Sequence, residues 1–379
     1  MTQFTKLVEL ASKIGSGQTP TGGYRSYLPK GIPLIRSQNV LMGKFSTEGL
    51  AYISDSIDQE MAGSRVEEDD VLLNITGASI GRVCVVPPEL CPANVNQHVC
   101  IIRCGKNLSP DYLAALLASP HFQKKIYDLE AGGTRQALTK AMIEDFKIPV
   151  LPVGEQKKMA THLKAQLAEV ETARSAVTEQ LLDVKALTDA IVFDSTRTAA
   201  KPASLGDALD EVKKGVGSDW ASYPVLGATR EGLAPAKEPP GKHGRKYKLA
   251  TPGTVFYNPM RILIGSIAFV DDDDKEGITS PDYVVLRGKQ GITDSRWFYH
   301  WLRSPLGQQC ILSLARGAVR ERMLFNRLAD GKIALPDHDV QVRASEALAE
   351  LKPLKRALQL RLSEINLLPQ KILSTAFEM

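Results

Sequence analysis

Two long stretches of the chain carry apolar residues at alternating spacings of four and three positions. The first stretch, residues 155–195, contains neither glycine nor proline. A 4/3 spacing that persists over several turns is typical of the seam of a coiled coil. Its seam positions are Leu163, Leu167, Val170, Arg174, Val177, Leu181, Val184, Thr188 and Ile191, of which two are polar.

The second stretch closes the chain and has the same spacing. Its seam positions are Ala347, Leu351, Leu354, Leu358, Arg361, Ile365, Leu368 and Ile372. Pro353 and Pro369 interrupt it and are expected to end or kink the helix locally, because proline lacks the backbone N–H. A helix of about 40 residues is about 60 Å long, and a helix with one apolar stripe must pack against something. The simplest partner for each long helix is the other one.

Ahead of each long helix the pattern changes to short β-type runs separated by glycine and proline. The predicted strands of the first half cover 71–73, 81–86 and 98–103. A helical segment follows at 110–129, with Ser109 as a candidate cap. The second half, from 205 to about 336, repeats this order and has its helical segment at 295–315.

Individual residues recur at a fixed offset between the two halves. Asn74 and Asn258 are 184 positions apart, and the offset is 185 for Pro120 and Pro305. A period this long indicates a duplicated domain and not a solenoid repeat. We therefore predict an α+β (mixed α/β) fold, with two domains related by a pseudo-two-fold axis and joined by two long antiparallel coiled-coil helices. The predicted boundaries are 1–152 for the first domain, 153–197 for the central helix, 198–337 for the second domain and 338–379 for the C-terminal helix.

Composition narrows the class of protein without settling its partner. The 379 residues are 43% hydrophobic and 24% charged, which is ordinary for a globular protein of two or three domains. With 47 basic and 43 acidic residues the net charge is +4, which is compatible with a nucleic-acid partner and equally with a solvated surface.

The cysteines and the N-terminal segment predict a compartment. The five cysteines are odd in number and form no Cys-x2-Cys pair. Cys100 and Cys104 flank an apolar run and fit core thiols better than metal ligands. The N-terminal segment has no apolar signal core, and no apolar run approaches the roughly 18 residues of a membrane span. We predict a protein of the reducing cytoplasm with no membrane association.

Sequence motifs for catalysis are missing. There is no Gly-x4-Gly-Lys-Ser/Thr phosphate loop and no Gly-x-Ser-x-Gly nucleophile motif, and the six histidines lack metal-ligand spacing. The run 258–260 (Asn-Pro-Met) is superficially similar to the Asn-Pro-Pro-Tyr/Phe of amino-methyltransferases, but it lacks the second proline and the aromatic residue. We predict a chain that is not an enzyme and binds no metal or cofactor of its own.

A series of short motifs runs through the first half in order. They are Gly-Ser-Gly-Gln-Thr-Pro at 15–20, Gly-Ile-Pro-Leu-Ile-Arg at 31–36, Asp-Asp-Val-Leu-Leu at 69–73, Thr-Gly-Ala-Ser-Ile-Gly at 76–81, Gly-Thr-Arg-Gln at 133–136 and Ile-Pro-Val-Leu-Pro-Val-Gly-Glu-Gln at 148–156. Together with the heptad helix that follows, they resemble a target-recognition domain of the specificity (S) subunits of type I restriction–modification systems. In the second half, the segments 205–207 and 368–373 resemble a second domain start and the terminal segment of that family. The Gly-x-Thr-Pro opening and the Thr-Gly-Ala-Ser loop are missing from this half.

The resemblance implies a DNA-binding subunit without chemistry of its own. Such a chain would bind double-stranded DNA at an asymmetric, bipartite target, with one short element for each domain. It would bind two methyltransferase (M) subunits, and added restriction (R) subunits would complete the full complex. S-adenosylmethionine, ATP and Mg²⁺ would belong to the partner subunits, which methylate adenine N6 or restrict the DNA.

Candidate DNA-contacting residues follow from what DNA offers: phosphates bind cations, and base edges bind amide or guanidinium groups. In the first half the candidates are Arg36, Ser37, Gln38, Asn39, Lys44, Arg82, Thr134, Arg135 and Gln136. In the second half they are Lys242, Arg245, Lys246, Lys248, Arg261, Arg316, Arg320 and Arg322. The alternative for the segment 36–39 is a polar strand edge or turn, and for the basic runs it is a solvated surface. The acidic run 271–274 is expected to form a solvated hairpin turn that faces away from DNA.

Two other functions compete with this interpretation. A non-catalytic scaffold could use its coiled coil to assemble other subunits without reading DNA. An enzyme in which the specificity half is fused to a nuclease or methyltransferase is the second alternative, and the missing motifs argue against it.

Overall fold

The computed structural model describes residues 3–131, 137–197, 200–241, 243–315 and 322–378. It divides into two compact units. The first unit consists of Met1–Ala176 and Leu362–Met379, and the second unit is Val177–Arg361. The division falls inside the two long helices and does not test the four segments predicted from the sequence. Their boundaries therefore remain predictions. Among the described helices, none combines the length and the apolar character that crossing a bilayer requires.

The described part of the first half folds into twelve short strands and five short helices, followed by the first long helix. The strands are β1 (Gln3–Lys6), β2 (Ala11–Ser16), β3 (Ile32–Ile35), β4 (Val40–Leu41), β5 (Lys44–Phe45), β6 (Ala51–Ile53), β7 (Arg65–Val66), β8 (Val71–Asn74), β9 (Val83–Val85), β10 (Ala93–Val95), β11 (Val99–Cys104) and β12 (Lys147–Val150). The helices are α1 (Leu7–Leu10), α2 (Asp55–Glu60), α3 (Pro110–Ala118), α4 (Pro120–Ala131), α5 (Lys140–Glu144) and α6 (Val153–Arg197).

Two four-stranded sheets and two strand pairs, one of them the β4–β5 hairpin, build the described part of the first unit. One sheet is antiparallel with the order β2-β11-β8-β9, the other has the order β6-β3-β10-β7 and one parallel pair, and β1 pairs with β12. Strand β8 is buried along its whole length. Successive side chains of a strand point to opposite faces, and both faces of β8 are covered. Val71 and Leu73 pack on α3 and α4, whereas Leu72 packs between the two sheets.

The second half repeats this construction with its own strands and helices. The strands are β13 (Lys201–Ser204), β14 (Leu209–Glu211), β15 (Leu226–Thr229), β16 (Gly232–Pro235), β17 (Lys248–Ala250), β18 (Thr254–Tyr257), β19 (Ile267–Val270), β20 (Gly277–Thr279), β21 (Val284–Gly288) and β22 (Lys332–Leu335). The helices are α7 (Leu205–Ala208), α8 (Ser295–Arg303), α9 (Pro305–Leu314), α10 (Phe325–Leu328) and α11 (His338–Ala376).

The predicted duplication is confirmed in the main sheet, in one strand pair and in the helices, whereas the sheet β6-β3-β10-β7 is replaced by the separate pairs β15-β16 and β17-β20. The main sheet of the second unit has the order β14-β21-β18-β19, which repeats β2-β11-β8-β9 strand for strand, and β13 pairs with β22 as β1 does with β12. Helices α3, α4 and α6 begin 185 positions before α8, α9 and α11. The two predicted long helices are α6 and α11, and the mixed helix-and-sheet fold is as predicted.

Both long helices contribute to the core of each unit. Leu163 of α6 and Leu373 of α11 share the apolar core of the first unit, in which Tyr112 and Phe377 meet edge to face with ring centroids 5.7 Å apart. In the second unit, Val192 and Leu348 lie in the core that surrounds the tryptophans of α8. The predicted seam is buried only in part: Leu163, Val177, Val184, Leu358 and Ile365 are buried, whereas Ala347, Leu354 and Leu368 are exposed.

Three helix predictions need correction. The predicted segments 110–129 and 295–315 are each two helices, because a proline follows Ser119 and Ser304 and disfavours helical backbone at the residue before it. Ser109 precedes α3 but does not cap it with its hydroxyl; its N–H donates to Gln156 Oε1 at 2.8 Å. Helix α11 continues through both prolines, since each removes only one backbone hydrogen bond while buried residues on either side hold the helix in place.

The prediction that the acidic run 271–274 forms a solvated hairpin turn is wrong. It joins β19 to β20, which belong to different sheets. Asp271 is buried and bonds to Arg296 at 3.1 Å, while Arg356 of α11 pairs with Asp273 at 2.7 Å and with Asp274 at 2.9 Å. These ion pairs could not be predicted from the local sequence, because the cations that bind the turn lie about 25 to 85 positions further along the chain.

Candidate nucleic-acid interface

The segment 36–39 forms a turn between β3 and β4, one of the two forms considered from the sequence. The backbone N–H of Asn39 donates to the Arg36 carbonyl at 2.8 Å. Asn39 is fully buried: its amide donates to the carbonyls of Ser46 and Glu48 and accepts from the Arg36 N–H. Its prediction as part of an exposed reading segment is therefore wrong, because its amide is consumed in holding the turn.

The other residues of this turn keep access to solvent. Gln38 is exposed, and Arg36 and Ser37 are half-buried. The Arg36 guanidinium lies over the Tyr27 ring, 5.4 Å from its centroid, and bonds to the Gly49 carbonyl. Stacking and hydrogen bonding fix the Arg36 side chain in one orientation, which favours a defined contact over a diffuse one.

Asn74 at the end of β8 ties the predicted residues of the first unit together. Its side-chain amide donates to the carbonyls of Ser37 at 2.8 Å and Val40 at 3.2 Å, and its backbone N–H donates to the Arg82 carbonyl at 2.8 Å. The β4–β5 hairpin, which carries Lys44, is held by the Gly43 N–H to the Val83 carbonyl. The exposed side chains of Lys44 and Arg82 are thus carried by adjoining segments next to the 36–39 turn.

Four polar residues that the sequence did not single out form a connected cluster in the same unit. Thr76 Oγ1 lies 2.5 Å from His98 Nδ1, and Gln97 Nε2 lies 3.0 Å from His98 Nε2. The Thr19 hydroxyl donates to Gln97 Oε1. Thr19 and Thr76 belong to two of the motifs that carry the family resemblance, so the sequence did point to these two residues. Nothing in the sequence indicated that Gln97 and His98 would contact them.

A glycine makes this cluster possible. A Cβ on Gly17 would lie 1.7 Å from the Val95 carbonyl oxygen, so only glycine lets the chain pass there on its way to Thr19. On the other side of the cluster, Thr76 forms a β-bridge with Ala137. The predicted residues Thr134, Arg135 and Gln136 directly precede Ala137 and lie outside the described residues.

In the second unit, Arg261 lies in the loop 258–266, which follows β18 as the loop 74–82 follows β8. The Arg261 side chain is exposed, and its backbone carbonyl accepts from Ser266 at 3.1 Å. Arg230, which sequence reasoning missed, donates from Nε to the Ile264 carbonyl of this loop at 3.2 Å. Met323 donates to the Pro259 carbonyl at 3.1 Å and so brings the preceding Arg322 to the same place.

The remaining basic candidates of the second unit separate into two groups. Arg245 and Lys246 are exposed, and the backbone beside them packs so closely on the segment before it that a Cβ on Gly215 would lie 2.6 Å from the Arg245 carbonyl oxygen. This brings the exposed and unpredicted Lys214 next to them. Lys248 differs: its Nζ donates to the Tyr283 carbonyl at 2.6 Å, and burial lowers its pKa.

Three predicted cations, Lys242, Arg316 and Arg320, lie outside the described residues. Arg322 is described and pairs with Asp282 at 3.0 Å, so part of its charge is already compensated. Arg135 and Arg320 are 185 positions apart, the offset that relates the helices of the two halves. Both halves therefore carry an arginine at corresponding positions of the sequence. In the first half the arginine lies between α4 and β12, and in the second half between α9 and β22.

The described residues offer no group of histidine, cysteine, aspartate or glutamate side chains arranged to hold a metal ion. The thiols are core-like, as predicted: Cys100 is buried and burial raises its pKa to about 12, and the half-buried Cys104 has its pKa raised to about 12 by the same cause. The chemistry that the described surface offers is cationic and amide groups on loops, which suits a polyanion.

Comparison with known proteins gives a consistent result. Residues 4–180 match the family model described as type I restriction modification DNA specificity domain. The chain is 25% identical to the StySPI specificity subunit of Salmonella potsdam over 146 residues, 38% of this chain and 31% of that protein, so this match spans about a third of the relative. It is 18% identical to the EcoKI specificity subunit of Escherichia coli K12, over 91% of this chain and 82% of that protein. A chain from a solved structure of a type I restriction–modification system shares the fold, with a TM-score of 0.66, 17% identity and coverage of 99% and 97% of the two chains.

Proposed function

Because the chain belongs to the family of type I restriction–modification specificity subunits, we propose that it reads an asymmetric, bipartite DNA target. Each of the two duplicated domains reads one short element of that target. The chain itself is non-catalytic and directs adenine-N6 methyltransferase subunits, and restriction subunits where present, to the DNA.

One observation carries this proposal: the two domains share a strand order but differ in the loops that leave it. The first unit gathers Gln38, Lys44 and Arg82 around the end of β8, whereas the second gathers Arg230 and Arg261 around the end of β18. A shared frame with different loops is what two unlike half-sites require, since base edges are distinguished by the donors and acceptors placed against them.

The partner subunits are proposed to dock on the long helices. Leu182 and Leu187 of α6 and Leu360 and Leu367 of α11 are large apolar side chains that the described chain leaves exposed. A partner subunit that covers these side chains would remove their apolar surface from water. S-adenosylmethionine, ATP and Mg²⁺ are proposed to bind the partner subunits and not this chain.

The same leucines also fit the competing function, a scaffold that assembles subunits without reading DNA. Co-expression with the neighbouring methyltransferase subunit, followed by genome-wide mapping of methylated adenines, separates the two. We expect one bipartite, non-palindromic motif that requires this chain. Methylation that is unchanged without the chain would refute the DNA-reading function, and complex assembly without any motif would favour the scaffold.

Variants give this experiment a residue-level readout. Gln38→Ala and Arg82→Ala should change or weaken methylation at one element of the motif and leave the other element as it was. Lys6→Ala is the matched control, because Lys6 is an exposed cation of the same unit that lies at the end of β1 and pairs with Asp145 at the end of α5. A control variant that changes the motif as Arg82→Ala does would contradict the assignment of these loops.

A further inference from the structure

Corresponding loops of the two units connect equivalent strands but carry different side chains at most of their exposed positions. Each leaves the end of a buried central strand, β8 or β18, forms a short 3-10 turn at Gly77–Ser79 or Ile262–Ile264, and enters the next strand. Gly265 follows its turn directly, whereas Ile80 lies between the first turn and Gly81; both glycines have a left-handed backbone, at φ +83° for Gly81 and φ +82° for Gly265. The two loops therefore correspond in position, although Gly77 has φ +70° where Arg261 has φ −129°.

The side chains that these loops present to solvent differ in kind. In the first unit the positions corresponding to Met260, Leu263 and Ile264 are Thr76, Ser79 and Ile80, so two of the three are polar there. The Thr76 hydroxyl is hydrogen-bonded to His98 Nδ1. In the second unit Met260 is 52% exposed, Leu263 46% and Ile264 52%. Three large apolar side chains on one short loop, held out of the core, cost free energy in water unless something covers them.

The apolar surface continues beyond the loop. Helix α9 lies against the 3-10 turn, and its Leu312 is exposed. Leu324 is also exposed and follows Met323, whose N–H is bonded to the Pro259 carbonyl. We call Met260, Leu263, Ile264, Leu312 and Leu324 the apolar patch.

The charges around the apolar patch indicate what covers it. Arg230 is held at the loop by the Ile264 carbonyl, Arg261 lies within the loop and Arg322 adjoins Met323. Of the carboxylates beside these arginines, Asp282 is paired with Arg322 and Glu231 adjoins Arg230. A rim of arginines around an apolar centre complements a polyanion that also presents apolar groups. DNA has this combination in its major groove, where the thymine C5-methyl is the apolar group on the base edges.

We infer that the second domain reads its half-site through apolar contacts between the apolar patch and thymine methyl groups. The first domain uses hydrogen-bonding side chains at the corresponding loop. The inference rests on the proposed function and adds the chemistry of one site to it. It requires at least one thymine–adenine pair in the half-site of the second domain, facing Leu263 or its neighbours.

The size of the effect follows from the size of a methyl group. Burying one methyl or methylene group is worth about 0.8 kcal/mol, which corresponds to about fourfold in affinity. Replacing a contacted thymine with deoxyuridine removes the methyl and leaves the base pair and the backbone intact. We therefore expect binding by the complex to weaken about fourfold for each contacted position.

The test uses the complex of this chain with its methyltransferase subunits and duplexes that carry the mapped target. Deoxyuridine replaces thymine at one position at a time in each half-site, and affinity is measured by fluorescence anisotropy. For the wild type we expect about fourfold weaker binding at one or more positions of the second half-site. Leu263→Ser and Met260→Thr, which install the first-unit residues, should bind the thymine and deoxyuridine duplexes equally well.

The matched control is a substitution in the corresponding loop of the first unit. Ser79→Ala, at the corresponding loop of the first unit, should leave the deoxyuridine effect in the second half-site unchanged. Specific binding with no deoxyuridine effect overturns this inference and leaves the proposed function standing. Binding without any sequence preference overturns the proposed function itself. Loss of methyltransferase subunits from the Leu263→Ser complex, verified by mass photometry, would make the apolar patch a protein contact and also overturn the inference.

Discussion

Replacing Asp271 with asparagine should destabilise the second unit by roughly 2 kcal/mol at neutral pH. The Asp271 carboxylate is only 7% exposed and bonds to Arg296 and Lys352. Burial disfavours its charge, but these two cations outweigh burial and lower its pKa from 3.8 to about 2. A difference of that size between folded and unfolded chain corresponds to the expected loss, because each pKa unit is worth about 1.4 kcal/mol.

The contribution of Asp271 depends on pH in a defined direction. Its folded pKa is depressed, so the unfolded chain binds the proton more readily and stability rises with pH. The contribution is fully present above the unfolded pKa of 3.8 and is lost as the pH falls through the folded pKa of about 2. The free energies of unfolding of the wild type and the Asp271→Asn variant should therefore converge across that interval.

Tryptophan fluorescence during urea unfolding measures this effect in the second unit alone, because the chain has three tryptophans, Trp220, Trp297 and Trp301, all within that unit. Asp272→Asn is the matched control: Asp272 bonds to the same Arg296, but its side chain is 82% exposed. An exposed ion pair contributes about 0 to 1 kcal/mol, so the control should lose much less. Equal losses in the two variants, or a loss at Asp271 that stays constant down to pH 2, would refute the reasoning.

Three further predictions concern the first unit. Gly17→Ala should lower the melting temperature, measured by circular dichroism, because its Cβ would collide with a backbone carbonyl, and overpacking of this kind costs about 1–3 kcal/mol. Asn39→Ala should cost about 1–3 kcal/mol by leaving buried carbonyls unpaired, whereas Gln38→Ala should leave urea unfolding unchanged and alter only target methylation. Cys84 and Cys100 should resist alkylation at pH 8 in the native protein, since burial raises the pKa of each to about 12; peptide mass spectrometry showing labelling as fast as in urea would contradict this.

The long helices and the repeated strand order could be predicted because both produce periodic patterns in the sequence. The heptad spacing located α6 and α11, and the 184–185 offset predicted that the second half would repeat the strand order of the first. Patterns of this kind reflect burial on one face of a helix or strand, which is a local property of the sequence. The break at Ser119 was missed, although the proline that follows it was the local signal.

The candidate site could be predicted only in part, because its geometry depends on contacts that are distant in sequence. Asn39 looked like an exposed amide, yet carbonyls seven and nine residues away bury and bind it. His98 had no motif around it, and its partner Thr76 is 22 positions away. The Asp271 turn looked solvated until Lys352 and Arg356 of α11 were placed against it. Polar residue types alone do not reveal whether a side chain faces solvent or completes a buried network.

The loops that leave β8 and β18 can differ at their exposed positions, because those side chains lie outside the core. In both units the loop begins at an asparagine, Asn74 or Asn258, and ends at the left-handed Gly81 or Gly265. The asparagines already act differently: Asn74 binds the carbonyl of Ser37 from the neighbouring turn, whereas Asn258 accepts the N–H of Met260 within its own loop. Since the glycine sets the re-entry to the sheet without a side chain, substitutions at the exposed positions between these two residues change the surface offered to a partner, whereas Ile75 and Ile262 are buried and belong to the core. Exchange of the exposed positions alone should therefore transfer base preference between chains of this fold at little cost in stability.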